Sequence, residues 1–187
     1  TEFDKGTHGT TSGANETQKD SDYLGVGYNS LFVEKTLGSR FLVGLEYVPS
    51  AIGTETSTSL RFKTSVPSTS AGTSHTQKVQ VDFSDMTTVY VGVGLTENSY
   101  VRLGKVQVDI VTNETLGTGS TYGNTSTDGT VVGFGYNKTF DNNVFLRGEG
   151  NYMTFQGASV TSANGVNKIT MNSLDGLSGK IAIGKTF

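Results

Sequence analysis

Val79-Gln-Val-Asp-Phe83-Ser-Asp-Met-Thr-Thr-Val89-Tyr-Val91-Gly-Val93-Gly-Leu95 is the stretch that decides the fold. Its odd-numbered positions read Val, Val, Phe, Asp, Thr, Val, Val, Val, Leu, and its even ones Gln, Asp, Ser, Met, Thr, Tyr, Gly, Gly. One face is apolar and the other polar or small, which is the two-residue period of a strand and not the 3.6-residue period of a helix. Seventeen residues is long for a strand in a globular protein.

Working outward, six more segments of strand character follow: Tyr23 to Lys35, Arg40 to Pro49, Tyr100 to Thr112, Thr130 to Phe140, Val144 to Phe155 and Leu177 to Phe187. Phe41, Val43, Leu45 and Tyr47 share one face, and Leu24, Val26 and Tyr28 another. Val101 and Leu103 are out of phase with Val106, Val108 and Ile110, so a bulge is expected near Gly104. Three connections are tight: Thr36 to Ser39, Thr96 to Ser99 and Asp141 to Asn143. Alternating with them are long polar stretches at about 50–78, 113–129 and 156–176, and a fourth at about 6–22 precedes the first strand. Strict alternation sorts the short turns to one end and the long loops to the other within one domain spanning 1–187. Globular sandwiches seldom do this, and structureless loops of such length are uncommon in compact domains.

Composition removes several classes of function. Hydrophobic residues are 34% and charged residues 17% of the chain, with 25 Gly filling much of the difference. No run approaches the roughly 20 apolar residues of a membrane helix. A net charge of -3 with no basic block argues against a nucleic-acid partner. The absence of Cys removes disulfide scaffolds, thiolate zinc sites and cysteine nucleophiles.

Two all-β readings remain. In a soluble sandwich or barrel the apolar faces point inward. In an outer-membrane barrel they face lipid, and the polar and small faces fill a narrow lumen. Glycines opposite bulky residues on the polar faces favour the second, as do aromatics gathered near segment ends: Phe32, Phe41, Tyr47, Phe83, Tyr100, Phe140, Phe145, Tyr152 and Phe155. Those positions suit girdles at the two membrane interfaces.

The ending Lys180-Ile-Ala-Ile-Gly-Lys-Thr-Phe187 resembles the C-terminal assembly signal of bacterial outer-membrane proteins. Ile181, Ile183 and Phe187 match it, whereas Lys185 stands where that signal usually has an apolar or aromatic residue. With this ending the whole chain resembles the small eight-stranded barrels of the OmpA-like and opacity-protein, or porin-family, type. The resemblance implies an antiparallel up-and-down transmembrane barrel in the outer membrane of a Gram-negative bacterium. It also implies contact with outer-membrane lipid and lipopolysaccharide, recognition of the last strand by the barrel-assembly machinery, no cofactor, and a non-enzymatic role in envelope structure and surface interaction through the long loops. Seven strands are visible, so the resemblance places most of the first strand upstream of, or at, residue 1, with Thr1 to Lys5 as its last residues.

No catalytic signature is present. His8 and His75 each lie in a polar stretch, and a lipid-modifying enzyme would need one of them beside a Ser at the outer rim. Asp20 with Asp22, and Asp82 with Asp85, lack the spacing of a calcium loop, so no metal is expected. The candidate site is instead the lumen, onto which alternation projects Glu46, Asp82, Arg102, Arg147, Glu149 and Lys180, with Tyr90 beside them. Opposite charges in a poorly hydrated interior must pair. As a plug they would fix strand register; as a gate, with Arg and Glu exchanging partners, they would make a narrow ion or small-solute channel.

Overall fold

A computed structural model describes residues 2–9, 15–21, 25–53, 57–63, 73–115, 121–165 and 168–187, and all of its regular structure is β. The strands are β1 (Glu2–Gly9), β2 (Asn15–Ser21), β3 (Leu31–Leu37), β4 (Phe41–Val48), β5 (Ile52–Gly53), β6 (Ser57–Lys63), β7 (Thr73–Gly94), β8 (Ser99–Thr115), β9 (Thr125–Thr139), β10 (Val144–Phe155), β11 (Ala158–Thr161), β12 (Lys168–Met171) and β13 (Leu174–Lys185). The main sheet runs β13-β10-β9-β8-β7-β4-β3, with β5 and β6 also paired to β7, and every pairing in it is antiparallel. A smaller sheet has the order β11-β12-β1-β2. The fold is thus all-β and antiparallel, but hydrogen bonding does not close the main sheet: β3 and β13 are its two edges.

The three tight turns lie where expected. Gly38 adopts a positive φ of 66° between β3 and β4, Asn143 one of 63° between β9 and β10, and Leu95 and Thr96 donate backbone bonds to Ser99 between β7 and β8. A left-handed backbone suits Gly and Asn better than other residues. The opposite end differs from expectation. Much of the long polar stretches is paired strand: β5, β6 and an extended β7 occupy part of 50–78, β8 runs on to Thr115, and β1 pairs with both β2 and β12. The first segment is shorter than its composition suggested, because residues 25–30 are not strand and β3 begins at Leu31. By backbone, His8 and His75 belong to β1 and β7.

The bulge expected at Gly104 is not there. Along β8 the even-numbered Tyr100, Arg102, Gly104, Val106, Val108 and Ile110 are all buried, while the odd-numbered residues between them are exposed. What changes along this strand is the polarity of the two faces, not the register. The bulge lies on β7 instead, where the pairing with β8 slips between Ser84 and Thr87 and Asp85 takes a φ of 51°. This slip carries Phe83 to the inside, against Val48, Met86, Val106 and Val108.

Two zones result. Toward the tight turns, the sheet's exposed face carries Leu31, Val33, Phe41, Val43, Leu45, Val89, Val91, Val93, Val101, Leu103, Val132, Phe134, Leu146, Ile181 and Ile183. Toward the long connections, the exposed face is Gln107, Asp109, Ser126 and Thr130, and Val48, Met86, Val106, Val108, Ile110 and Val131 are buried within. Among the described residues 24 large apolar side chains are exposed and nine are buried, the reverse of what water alone would select.

Candidate functional site

The curl of the main sheet brings one side chain or more from each of the seven strands of its main path into the turn-side interior. Glu34 comes from β3, Glu46 from β4, Tyr90 from β7, Tyr100 and Arg102 from β8, Asn137 from β9, Arg147, Glu149 and Asn151 from β10, and Lys180 from β13. Alternation aims them inward, since each shares strand parity with buried or half-buried neighbours.

Four charges form a ring. The Arg102 guanidinium lies 2.9 Å from Glu46 and 2.9 Å from Glu149, and the Lys180 ammonium lies 2.9 Å from each of the same two carboxylates. Ser30 donates to Glu46 at 2.7 Å, Tyr100 donates to Glu149, and the Asn151 amide bridges Glu149 and the Arg102 Nε. A second unit sits beside it. Arg147 grips Glu34 through both terminal nitrogens at 2.7 and 2.6 Å, Tyr90 donates to the same carboxylate at 2.6 Å, and the Arg147 Nε donates to Asn137 at 2.8 Å. The cation also lies 4.9 Å from the Phe32 ring centroid, 5.0 Å from Tyr100 and 5.1 Å from Phe145. Three carboxylates meet three cations, and every one is bonded to at least two groups. Charges this far from water are tolerated only with such complete pairing.

Glycines make room for the rings. A Cβ on Gly44 would land on the Tyr90 phenol, and one on Gly135 would land on the Tyr100 phenol. The interior is therefore packed by side chains, with aromatic plates laid on bare backbone.

Glu46, Arg102, Arg147, Glu149 and Lys180 therefore converge as alternation predicts. Asp82 does not join them. The slip at Asp85 turns it to the outer face, where it accepts hydrogen bonds from Gln80 and, at 2.6 Å, Asn113. Glu34 is the member that sequence reasoning missed, although it lies opposite the exposed Leu31, Val33 and Leu37. The aromatic assignment needs a larger correction. Phe41, Tyr47, Phe140 and Tyr152 are exposed as a girdle requires, but Phe32, Tyr100 and Phe145 line the charged interior and Phe83 and Phe155 pack on the apolar core. Of the assembly-signal residues, Ile181 and Ile183 are strongly exposed on the outer face of the last strand, and Phe187, two residues beyond its end, is fully exposed.

Elsewhere, Tyr122 is tied to the end of β8 by its backbone N–H, which donates to Glu114 at 2.6 Å. Burial, and then the Glu114 carboxylate, raise its phenol above the ordinary range. No cluster of three or more metal-ligating side chains occurs among the described residues. Comparison with family models, with curated proteins and with solved structures finds no match for this chain.

Proposed function

We propose that this protein is a non-enzymatic outer-membrane β-barrel of the small porin-family type, whose charged interior is a register-fixing plug and whose long-loop end meets partners at the cell surface. The observation that carries this reading is the apolar exterior wrapped around an ion-paired interior. Leu177 and Ile181 are 86% and 84% exposed on an edge strand whose inner face presents Lys180. From Leu177 to Phe187 the ten steps, at about 3.3 Å each and a tilt of about 40°, span about 25 Å, the height of the apolar band of such barrels.

Lipid leaves no water for the edge groups of β3 and β13, each worth several kcal/mol when unpaired, so this reading requires one more strand between them. An eight-stranded barrel has an interior only wide enough for side chains to fill. The closed ring of Arg102, Lys180, Glu46 and Glu149 therefore favours a plug over the gated-channel alternative.

Extraction tests this. The protein should leave membranes only with detergent and then run on a gel as a heat-modifiable, β-rich species, silent in a planar bilayer. Recovery in the aqueous fraction without detergent would sink the membrane assignment. Discrete conductance altered by Arg147→Ala would replace the plug with the gate.

A further inference from the structure

The charges on the outer face are sorted by sign. At the turn end the outward or turn positions hold Lys35, two residues before the end of β3, Arg40, just before β4, Lys138, one residue before the end of β9, and Lys185, the last residue of β13. All four are exposed, and among the described residues none has a carboxylate within ion-pair distance. The acids at that end, Glu97 and Asp141, sit in the turns and not on the strand faces. Beyond the apolar band, toward the long connections, the outer face carries Asp82, Asp85, Asp109, Asp128 and Asp175. There Lys105 is paired with Asp128 at 3.1 Å, and Lys78 lies further out. The apolar band thus has a cationic collar on one side and an acidic one on the other.

From this we infer that the turn-end collar of Lys35, Arg40, Lys138 and Lys185 is a docking surface for the phosphate headgroups of anionic phospholipid, a reading that rests on the membrane barrel proposed above. A Lys or Arg at the rim of an apolar band lays its methylene stem on the acyl region and lifts its charge to headgroup level. Four cations free of ion pairs, on β3, the β3–β4 turn, β9 and β13, present their charges to phosphates along the turn-side part of the apolar band. Near an anionic surface each such residue favours binding by about fivefold. The sign is diagnostic, because the chain as a whole carries -3 and bulk charge would disfavour anionic lipid.

Native mass spectrometry of the full chain in detergent, titrated separately with phosphatidylglycerol and phosphatidylcholine, tests the collar, with a heat-modification gel run on the same samples. The wild type should retain phosphatidylglycerol about tenfold or more tightly than phosphatidylcholine, and salt should weaken that preference. The combined variant Lys35→Gln, Arg40→Gln, Lys138→Gln, Lys185→Gln should stay heat-modifiable and lose the preference. Lys78→Gln with Lys105→Gln should keep it. A heat-modifiable protein with equal affinities, or a preference that survives in the fourfold variant or vanishes in the loop-side one, overturns the collar and leaves the barrel standing. A wild type that is not heat-modifiable and holds neither lipid overturns both.

Discussion

Along β8, Val101 and Leu103 face out and Arg102 faces in; a few residues on, Gln107 and Asp109 face out and Val106, Val108 and Ile110 face in. One strand therefore passes through two environments without a break in pleat. In the turn half the outer face asks for apolar side chains and the interior is an ion-pair lattice. In the loop half the outer face suits water and the interior is an ordinary apolar core built on Val48, Met86, Val106 and Val108. The halves hold together by different physics. Burial of apolar surface drives the loop half, whereas in the turn half interior specificity comes from charge pairs whose removal leaves an uncompensated charge behind.

Removing one cation should separate the halves most sharply. Arg102→Leu leaves Glu46 and Glu149, both buried, with Lys180 as their only cation among the described residues. Breaking a buried pair on one side costs about 3–5 kcal/mol, so the urea midpoint in detergent should fall by more than for a valine truncation in the loop-half core. Val106→Ala, which removes two methyl equivalents from a fully buried site, should cost about 1.5–2.5 kcal/mol in the same assay. Equal effects would mean that the ion lattice is not what fixes the turn half.

The outer faces supply the next contrast. Val91→Arg places a cation within the apolar band and should lower stability in lipid vesicles by about 2–4 kcal/mol, while Gln107→Arg on the water-facing stretch should cost close to nothing. Urea titration of vesicle-folded protein reads both. Similar costs for the two would erase the boundary between the zones.

Overpacking is a smaller lever. Gly135→Ala drives a methyl into the Tyr100 ring and disturbs the phenol that donates to Glu149. The expected loss is about 1–3 kcal/mol by thermal or urea melting. Gly148→Ala, whose Cβ meets nothing within 4 Å, is the matched control and should change little.

Much of this was legible in the chain, and the misses share a cause. The all-β period, the tight turns and five of the six charged interior positions follow from alternation alone, because parity is inherited along an unbroken strand. Parity fails where the strand is broken or where its environment changes. The sequence of β7 keeps its valines and Phe83 on odd positions on both sides of Asp85, and only Met86 on an even position hints at the slip there that turns Phe83 in and Asp82 out. In β8 the phase shift is plainly written, but it records an exchange of polarity between the two faces and not a bulge. Adjacent apolar pairs mark the same crossing elsewhere: Tyr47-Val48 on β4, Val131-Val132 on β9 and Tyr152-Met153 on β10 each put one residue outside and the next inside. Glu34 is hidden because Val26 and Tyr28 put apolar residues on even positions, and residues 25–30, which are not strand, separate them from the odd-numbered outer face of β3. Phe32, Tyr100 and Phe145 were assigned to the girdle by nearness to strand ends, although each shares parity with an interior charge, Glu34, Arg102 or Arg147.

The smallest effect tests where the boundary lies. Lys105 and Asp128 pair at 3.1 Å on the exposed face, one outward position beyond Leu103 on β8 and two beyond Val132 on β9. If this level is already in water, Lys105→Gln removes a surface ion pair worth about 0–1 kcal/mol, and added salt should shrink the difference further. If the level lies within lipid, the variant leaves Asp128 without its cation in an apolar medium, and the loss should grow to several kcal/mol and ignore salt. The contrast between the halves puts the pair outside. A small, salt-sensitive change in the vesicle urea midpoint is therefore the expected result. A large, salt-independent one would move the edge of the band past β8 Lys105 and enlarge the turn half at the expense of the loop half.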